Sequence, residues 1–137
     1  MFNKVVARFK EGSVIKGNTN DFSPFKRHFH LELIGGQVID VNVDYLKALE
    51  IDLSELKAAF FVKDFEGNQT YNEEYGDIIA GAGRRVQVTF QDGEVIIGYA
   101  LSYSPSRIGF FLVPSDEKSN NSRIYVINSS ARRVEFL

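Results

Sequence analysis

His28 and His30 flank Phe29, and two histidines at that spacing would share one face of a strand, as a metal site requires. The chain has no other histidine and no cysteine, and the acids nearby form no obvious ligand set. The pair therefore reads as two half-exposed strand histidines. Without cysteine there is no disulfide, no thiolate metal site and no thiol nucleophile. A Ser-His-Asp system has few possible centres here, and neither a nucleophile elbow nor a phosphate loop is present. Gly81-Ala82-Gly83-Arg84 is too short for a dinucleotide fingerprint and reads as a hinge. The residues point to no catalytic centre, metal or cofactor.

Binding chemistry is better represented. Ser104-Pro105-Ser106-Arg107-Ile108-Gly109-Phe110-Phe111, followed by the polar run 114–123, gathers Arg107, Phe111, Asn120, Asn121 and Arg123 around one expected hairpin. Arginine and asparagine offer fixed hydrogen-bond geometry to a carboxylate, a phosphate or a peptide backbone. Phe110 and Phe111 point to opposite faces, so one of them is a candidate contact outside the core. The plainer reading is a polar hairpin whose asparagines satisfy turn geometry. Phe25, Lys26 and Arg27, with Phe22 nearby, form a second aromatic-basic cluster with the same two readings.

The elements that must carry these residues emerge from a repeat. Residues 4–31 and 85–112 align without a gap: Phe9 with Phe90, Gly12 with Gly93, Val14-Ile15 with Val95-Ile96, Gly17 with Gly98, Ser23-Pro24 with Ser104-Pro105, Phe29 with Phe110 and Leu31 with Leu112. Val86, Val88 and Phe90 alternate with Gln87, Thr89 and Gln91, the period of a half-buried strand. Asp92-Gly93 and Glu11-Gly12 supply tight-turn chemistry. A bent strand ending in Gly98 comes next, then strands at Phe110–Val113, Ile124–Ile127 and Val134–Leu137. The first copy continues with strands at His28–Leu33 and Val38–Val43, a helical stretch at 44–50, a capped turn at Asp52–Glu55 and a closing strand at Ala58–Val62.

The expected organisation is mainly β: a first small barrel over 1–63, an acidic linker over 64–83 that Tyr71 and Tyr75 could pin down, and a second small barrel over 84–137. The two barrels are five-stranded and related by internal duplication, with a short helix inserted in the first. Twelve phenylalanines and no tryptophan suit thin interiors.

Net charge is −2, with 9 basic and 13 acidic residues in 1–83 and 7 basic and 5 acidic residues in 84–137. A phosphate-backbone binder usually carries a stronger basic bias, so general nucleic-acid binding is disfavoured. No apolar run is long enough for a signal peptide or a membrane span, and cytoplasmic residence is the expectation.

The run Val86-x-Val88-x-Phe90-x-Asp92-Gly93-x-x-x-x-Gly98 resembles the opening of Sm-like proteins, in which a strand, an Asp-Gly turn and a bent strand begin a five-stranded barrel. Tyr125 to Val134 is similar to the last two strands of such a barrel, joined by one helical turn. The resemblance covers most of each copy and implies the Sm-like fold. Sm-like RNA binders also place Asp and Asn before the third strand and Arg-Gly near the fourth. Here Ser102-Tyr103-Ser104-Pro105 and Arg123-Ile124 stand in those places, and only Asn20-Asp21 is kept. The Phe110–Asp116 and Asn120–Val126 wording is also similar to bacterial domains with no established activity. A cyclic-dinucleotide receptor of the PilZ type finds half a motif in Asp21-Phe22-Ser23, with Lys26 where glycine belongs and no Arg-x-x-x-Arg. The sequence therefore supports a non-enzymatic module that binds a protein or peptide through loops or a strand edge. Nucleic acid or a nucleotide, held at the basic-aromatic hairpin of the second barrel, is the alternative. Homo-oligomerisation stays open.

Overall fold

In a computed structural model, the structure describes residues 3–35, 48–66, 83–116 and 118–137. Ten strands follow in order: β1 Asn3–Phe9, β2 Val14–Thr19, β3 His28–Leu33, β4 Leu49–Asp52, β5 Leu56–Val62, β6 Arg84–Phe90, β7 Val95–Leu101, β8 Gly109–Pro114, β9 Asn121–Ile127 and β10 Ala131–Phe136. Three-residue 3-10 turns at Leu53–Glu55 and Asn128–Ser130 lead into β5 and β10, and the described residues contain no α-helix. All ten strands form one antiparallel sheet in the order β10-β6-β7-β8-β9-β5-β1-β2-β3-β4.

The two halves match strand for strand and in register. Arg8 pairs with Ala58 and Val6 with Phe60; Thr89 pairs with Arg133 and Gln87 with Glu135. At the other end His28 faces Asp52 and His30 faces Glu50, as Gly109 faces Ile127 and Phe111 faces Tyr125. The tight turns also agree, with positive φ at Gly12 (106°) and Gly93 (93°), a conformation that favours glycine. Phe9 N–H donates to Ser13 O and Phe90 N–H to Glu94 O. Lys10 N–H reaches Glu55 O, just as Gln91 N–H reaches Ser130 O. Phe90 is fully buried, whereas Phe9, in the matching place, is half-buried against the first core.

Several expectations change in detail. The first half's fourth strand is Leu49–Asp52, so Leu49 and Glu50 are extended and not helical. Ala48 is not helical either; the expected strand at 38–43 and residues 44–47 of the expected helix lie outside the described residues, as does 67–82 of the expected linker. The turn at Leu53–Glu55 is capped as its sequence implies, the Asp52 carboxylate accepting from Ser54 N–H. β10 starts at Ala131, three residues earlier than the sequence pattern indicated.

The halves meet at β5 and β9, in the register Ala58↔Val126, Ala59↔Tyr125 and Phe60↔Ile124. Side chains alternate across a strand, so each junction strand serves two interiors. From β5, Ala59 and Phe61 enter the first core while Ala58 and Phe60 enter the second. From β9, Tyr125 and Ile127 enter the first core while Ile124 and Val126 enter the second. Neither interior is complete without strands from both halves.

Aromatic packing repeats the pattern. Phe22 meets Phe29 and Phe61 edge-on at 5.1 and 5.0 Å, and Tyr103 meets Phe110 and Phe136 at 4.9 and 5.4 Å. Phe22 also touches Phe111 and Tyr125 across the junction, at 5.9 and 5.2 Å. Polar ties complete the seam. The Lys57 ammonium lies 2.6 Å from Asp92 and 2.5 Å from Glu94, over the Phe90 ring, and Lys10 Nζ donates to Ser129 Oγ.

Candidate functional site

The β2–β3 loop and the β7–β8 loop occupy matching places and close alike. Lys26 N–H donates to Ser23 O and Arg107 N–H to Ser104 O. Leu53 N–H then reaches Arg27 O, and Asn128 N–H reaches Ile108 O, so each loop is laced to the 3-10 turn of its own half. The Asn128 side-chain amide strengthens this by donating to Ser104 O at 3.0 Å and Arg107 O at 2.9 Å. The outcome is an open groove of about 420 Å³ lined by Ser54 from the first half and Pro105, Arg107, Ile108, Ile127, Asn128 and Ser129 from the second. Arg107 is exposed on its rim and Ile108 retains 38% of its surface, an uncommon exposure for isoleucine.

Arg27 reaches the same place from the other side. Its Nε lies 3.0 Å from both Asp52 carboxylate oxygens, and its Nη2 donates to Ser54 Oγ at 3.2 Å. Arg27 is thereby committed to Asp52 and orients the groove wall, while Phe25, 83% exposed, and Lys26 project from the preceding loop. The Arg27 guanidinium holds the Asp52 carboxyl well below the usual carboxylate range. Burial opposes this, and the Ser54 hydroxyl and N–H add to the lowering. For Asp21, burial pushes the carboxyl up, but hydrogen bonds from the His30 backbone and ring and from Thr19 outweigh it and leave the group lowered.

A folded-state pKa below the unfolded value gives stability that is complete above the ordinary carboxylate range and lost as pH falls through the folded value. Denaturant titrations should therefore show wild-type stability falling as pH drops below about 4, the ordinary carboxylate pKa. Asp52→Asn keeps a capping oxygen but loses the charge that faces the exposed Arg27, so it should cost up to about 1 kcal/mol at pH 7 and should flatten that acid dependence. An Asp52→Asn variant with wild-type stability at pH 7 would show that the Arg27–Asp52–Ser54 cluster is idle.

The other sequence candidates fall elsewhere. Arg107 and Asn120 stand at opposite ends of the β8–β9 hairpin, roughly 20 Å apart at about 3.4 Å per strand residue, so the hairpin does not gather them into one site. The Asn120 side chain accepts from Asp64 N–H and donates to Asp64 O, clamping the chain beyond β5. Asn121 lies in β9 opposite Val62. The Arg123 guanidinium lies over Phe61 at 4.3 Å and Phe111 at 4.7 Å, so half-buried Arg123 and Phe111 take part in the junction packing.

His28 and His30 are exposed and face Asp52 and Glu50 across the β3–β4 ladder, with His30 Nδ1 2.6 Å from Asp21. Among the described residues, no group of three or more such side chains is placed to hold a metal. Sequence reasoning missed Ser54 and Asn128. The signal available was the parallel between Asp52-Leu53-Ser54-Glu55 and Ile127-Asn128-Ser129-Ser130, two strand-to-strand turns at matching places.

A family model described as a family of unknown function (DUF6982) matches residues 1–137. The chain belongs to that family. No curated protein and no solved structure matches it. Among the described residues of this DUF6982 chain, no helix is long and apolar enough to cross a membrane.

Proposed function

We propose that the chain is a non-enzymatic binding module made of two duplicated Sm-like barrel units, and that it takes an extended peptide segment of a partner protein on its loop face. The groove between Ser54 and Arg107 carries the reading. It draws its walls from both halves, presents Ile108 and Pro105 as apolar floor, and sets Arg107 at the rim. An apolar side chain with a neighbouring carboxylate is the complement of that surface. Support for the duplicated Sm-like unit comes from the register shared by the two halves and from the strand-turn-strand opening of each.

A displayed random-peptide library panned against the chain should yield apolar-acidic sequences. Arg107→Ala should weaken the selected peptides about tenfold, the loss of one charge-assisted hydrogen bond of about 1.4 kcal/mol. Amide shifts on binding should cluster at 106–108 and 127–129. Shifts confined to other surfaces would overturn this reading. The alternative, nucleic acid or a nucleotide, is favoured by one observation, an almost fully exposed Phe25 beside Lys26, which suits base stacking. Binding of an oligonucleotide that collapses steeply with added salt and is lost in Phe25→Ala would select it.

A further inference from the structure

The junction between the halves suggests how the sheet could continue, and among the described residues β10 and β4 stand at its two ends. β10 occupies in the second half the place that β5 occupies in the first, and β4 occupies in the first half the place that β9 occupies in the second. A second copy of the chain could in principle lay its β4 along β10, as β9 lies along β5. Such addition would run head to tail and would not end at a dimer.

The residues that make the internal junction work are replaced at both outer strands. On β5, Ala58 and Phe60 fill the neighbouring core; the matching positions on β10 are Arg133 and Glu135, an ion pair at 2.7 Å. On β9, Tyr125 and Ile127 fill the neighbouring core; the matching positions on β4 are Glu50 and Asp52. Those acids already face His30, His28 and Arg27 on their own half. Four apolar side chains that a junction must bury thus become four charged ones. Each would be desolvated in a neighbour's interior, and the apolar contact made at β5–β9 would be absent.

Arg84 adds a local seal. At the junction the Phe61 ring is covered by Arg123 of the other half, 4.3 Å away; at the outer strand the matching Phe136 ring is covered by Arg84 of its own half at 3.9 Å. Charged side chains on an edge strand are a recognised defence against strand addition.

We infer that the chain is a terminated pair: the β5–β9 mode of joining is used once, inside the chain, and charges at Glu50, Asp52, Arg133 and Glu135 bar a second copy from repeating it. The inference rests on the matching registers of the halves and not on the peptide-binding reading, so either can fail alone.

Restoring the junction residues tests it. One variant carries Glu50→Tyr and Asp52→Ile, and another carries Arg133→Ala and Glu135→Phe. By analytical ultracentrifugation the wild type should sediment at its monomer mass of 15.5 kDa, up to about 100 μM, a concentration at which a 1 μM interface would be almost filled. Mixing the two variants should give a one-to-one complex, and combining all four substitutions in one chain should give open-ended assembly. A wild type that assembles at micromolar concentration with cross-links between β4 of one copy and β10 of another overturns the inference, and so do variants that fold, by near-ultraviolet circular dichroism, yet fail to associate on mixing. If the variants do not fold, cross-linking of the wild type decides: no β4-to-β10 cross-link upholds the seal and such a cross-link refutes it.

Discussion

Replacing Phe60 with alanine should cost about 4 kcal/mol and should loosen the half of the molecule to which Phe60 does not belong in sequence. Its ring is 6% exposed and fills the core formed by Val86, Val88, Phe90, Phe110 and Leu112. Truncating a buried phenylalanine removes its transfer free energy and leaves a cavity, about 3–5 kcal/mol together. Arg8, stacked at 5.5 Å on the same ring, would lose its support as well. Urea titration gives the magnitude, and amide exchange at Val86–Phe90 gives the location. Faster exchange there, as much as in β1 and β5, is the expected result. A loss confined to the first half would mean that β5 lines one interior only.

Gly98→Ala should be about as damaging through the opposite fault, too much matter where two strands approach closely. A Cβ at Gly98 would overlap the Val113 carbonyl oxygen and stand 2.5 Å from Leu112 Cδ2. The leucine can move, but the carbonyl belongs to the β7–β8 ladder and can yield only if that pairing opens. Gly17 has the same relation to the Glu32 carbonyl oxygen, at 2.6 Å. About 3 kcal/mol is expected for alanine at either position, the upper end of overpacking costs. Calorimetric midpoints should fall together for the two variants, by roughly 6–12 °C at 2–4 °C per kcal/mol for a chain of this size. A Gly98→Ala midpoint within a degree of wild type would show that the strands approach less closely than described.

The course of the chain through the second half was legible because its signals are local. Alternation at Val86, Val88 and Phe90, the Asp92-Gly93 turn and the glycine at 98 each act within a few residues, and β6 and β7 fall where those signals place them, whereas β9 starts three residues before the expected Ile124. The first half was harder because Leu49-Glu50-Ile51-Asp52 is too short for periodicity to distinguish a strand from a helix end. What makes it a strand is pairing with His28–Leu31, a contact no local pattern announces.

The candidate site was legible only in part for a related reason. Lys26 and Arg107 stand at matching places in the repeated loops, with Arg27 the next residue after Lys26, so the repeat that relates the loops also points to them. Arg123 and Phe111 looked like surface chemistry because a single sequence does not show that Phe61 of β5 will lie against them, and Asn120 because it does not show Asp64 beside it. The junction is a property of two halves meeting, and nothing in Ala58-Ala59-Phe60-Phe61 says which interior each residue will fill.

The measurement that bears most directly on two interiors sharing β5 and β9 is scanning calorimetry of the intact chain. If both cores depend on the same two strands, they must melt together, in one transition whose van't Hoff and calorimetric enthalpies agree. Two resolved transitions, or a calorimetric enthalpy near twice the van't Hoff value, would mean that the halves are separate folding units and that the shared strands do not couple them.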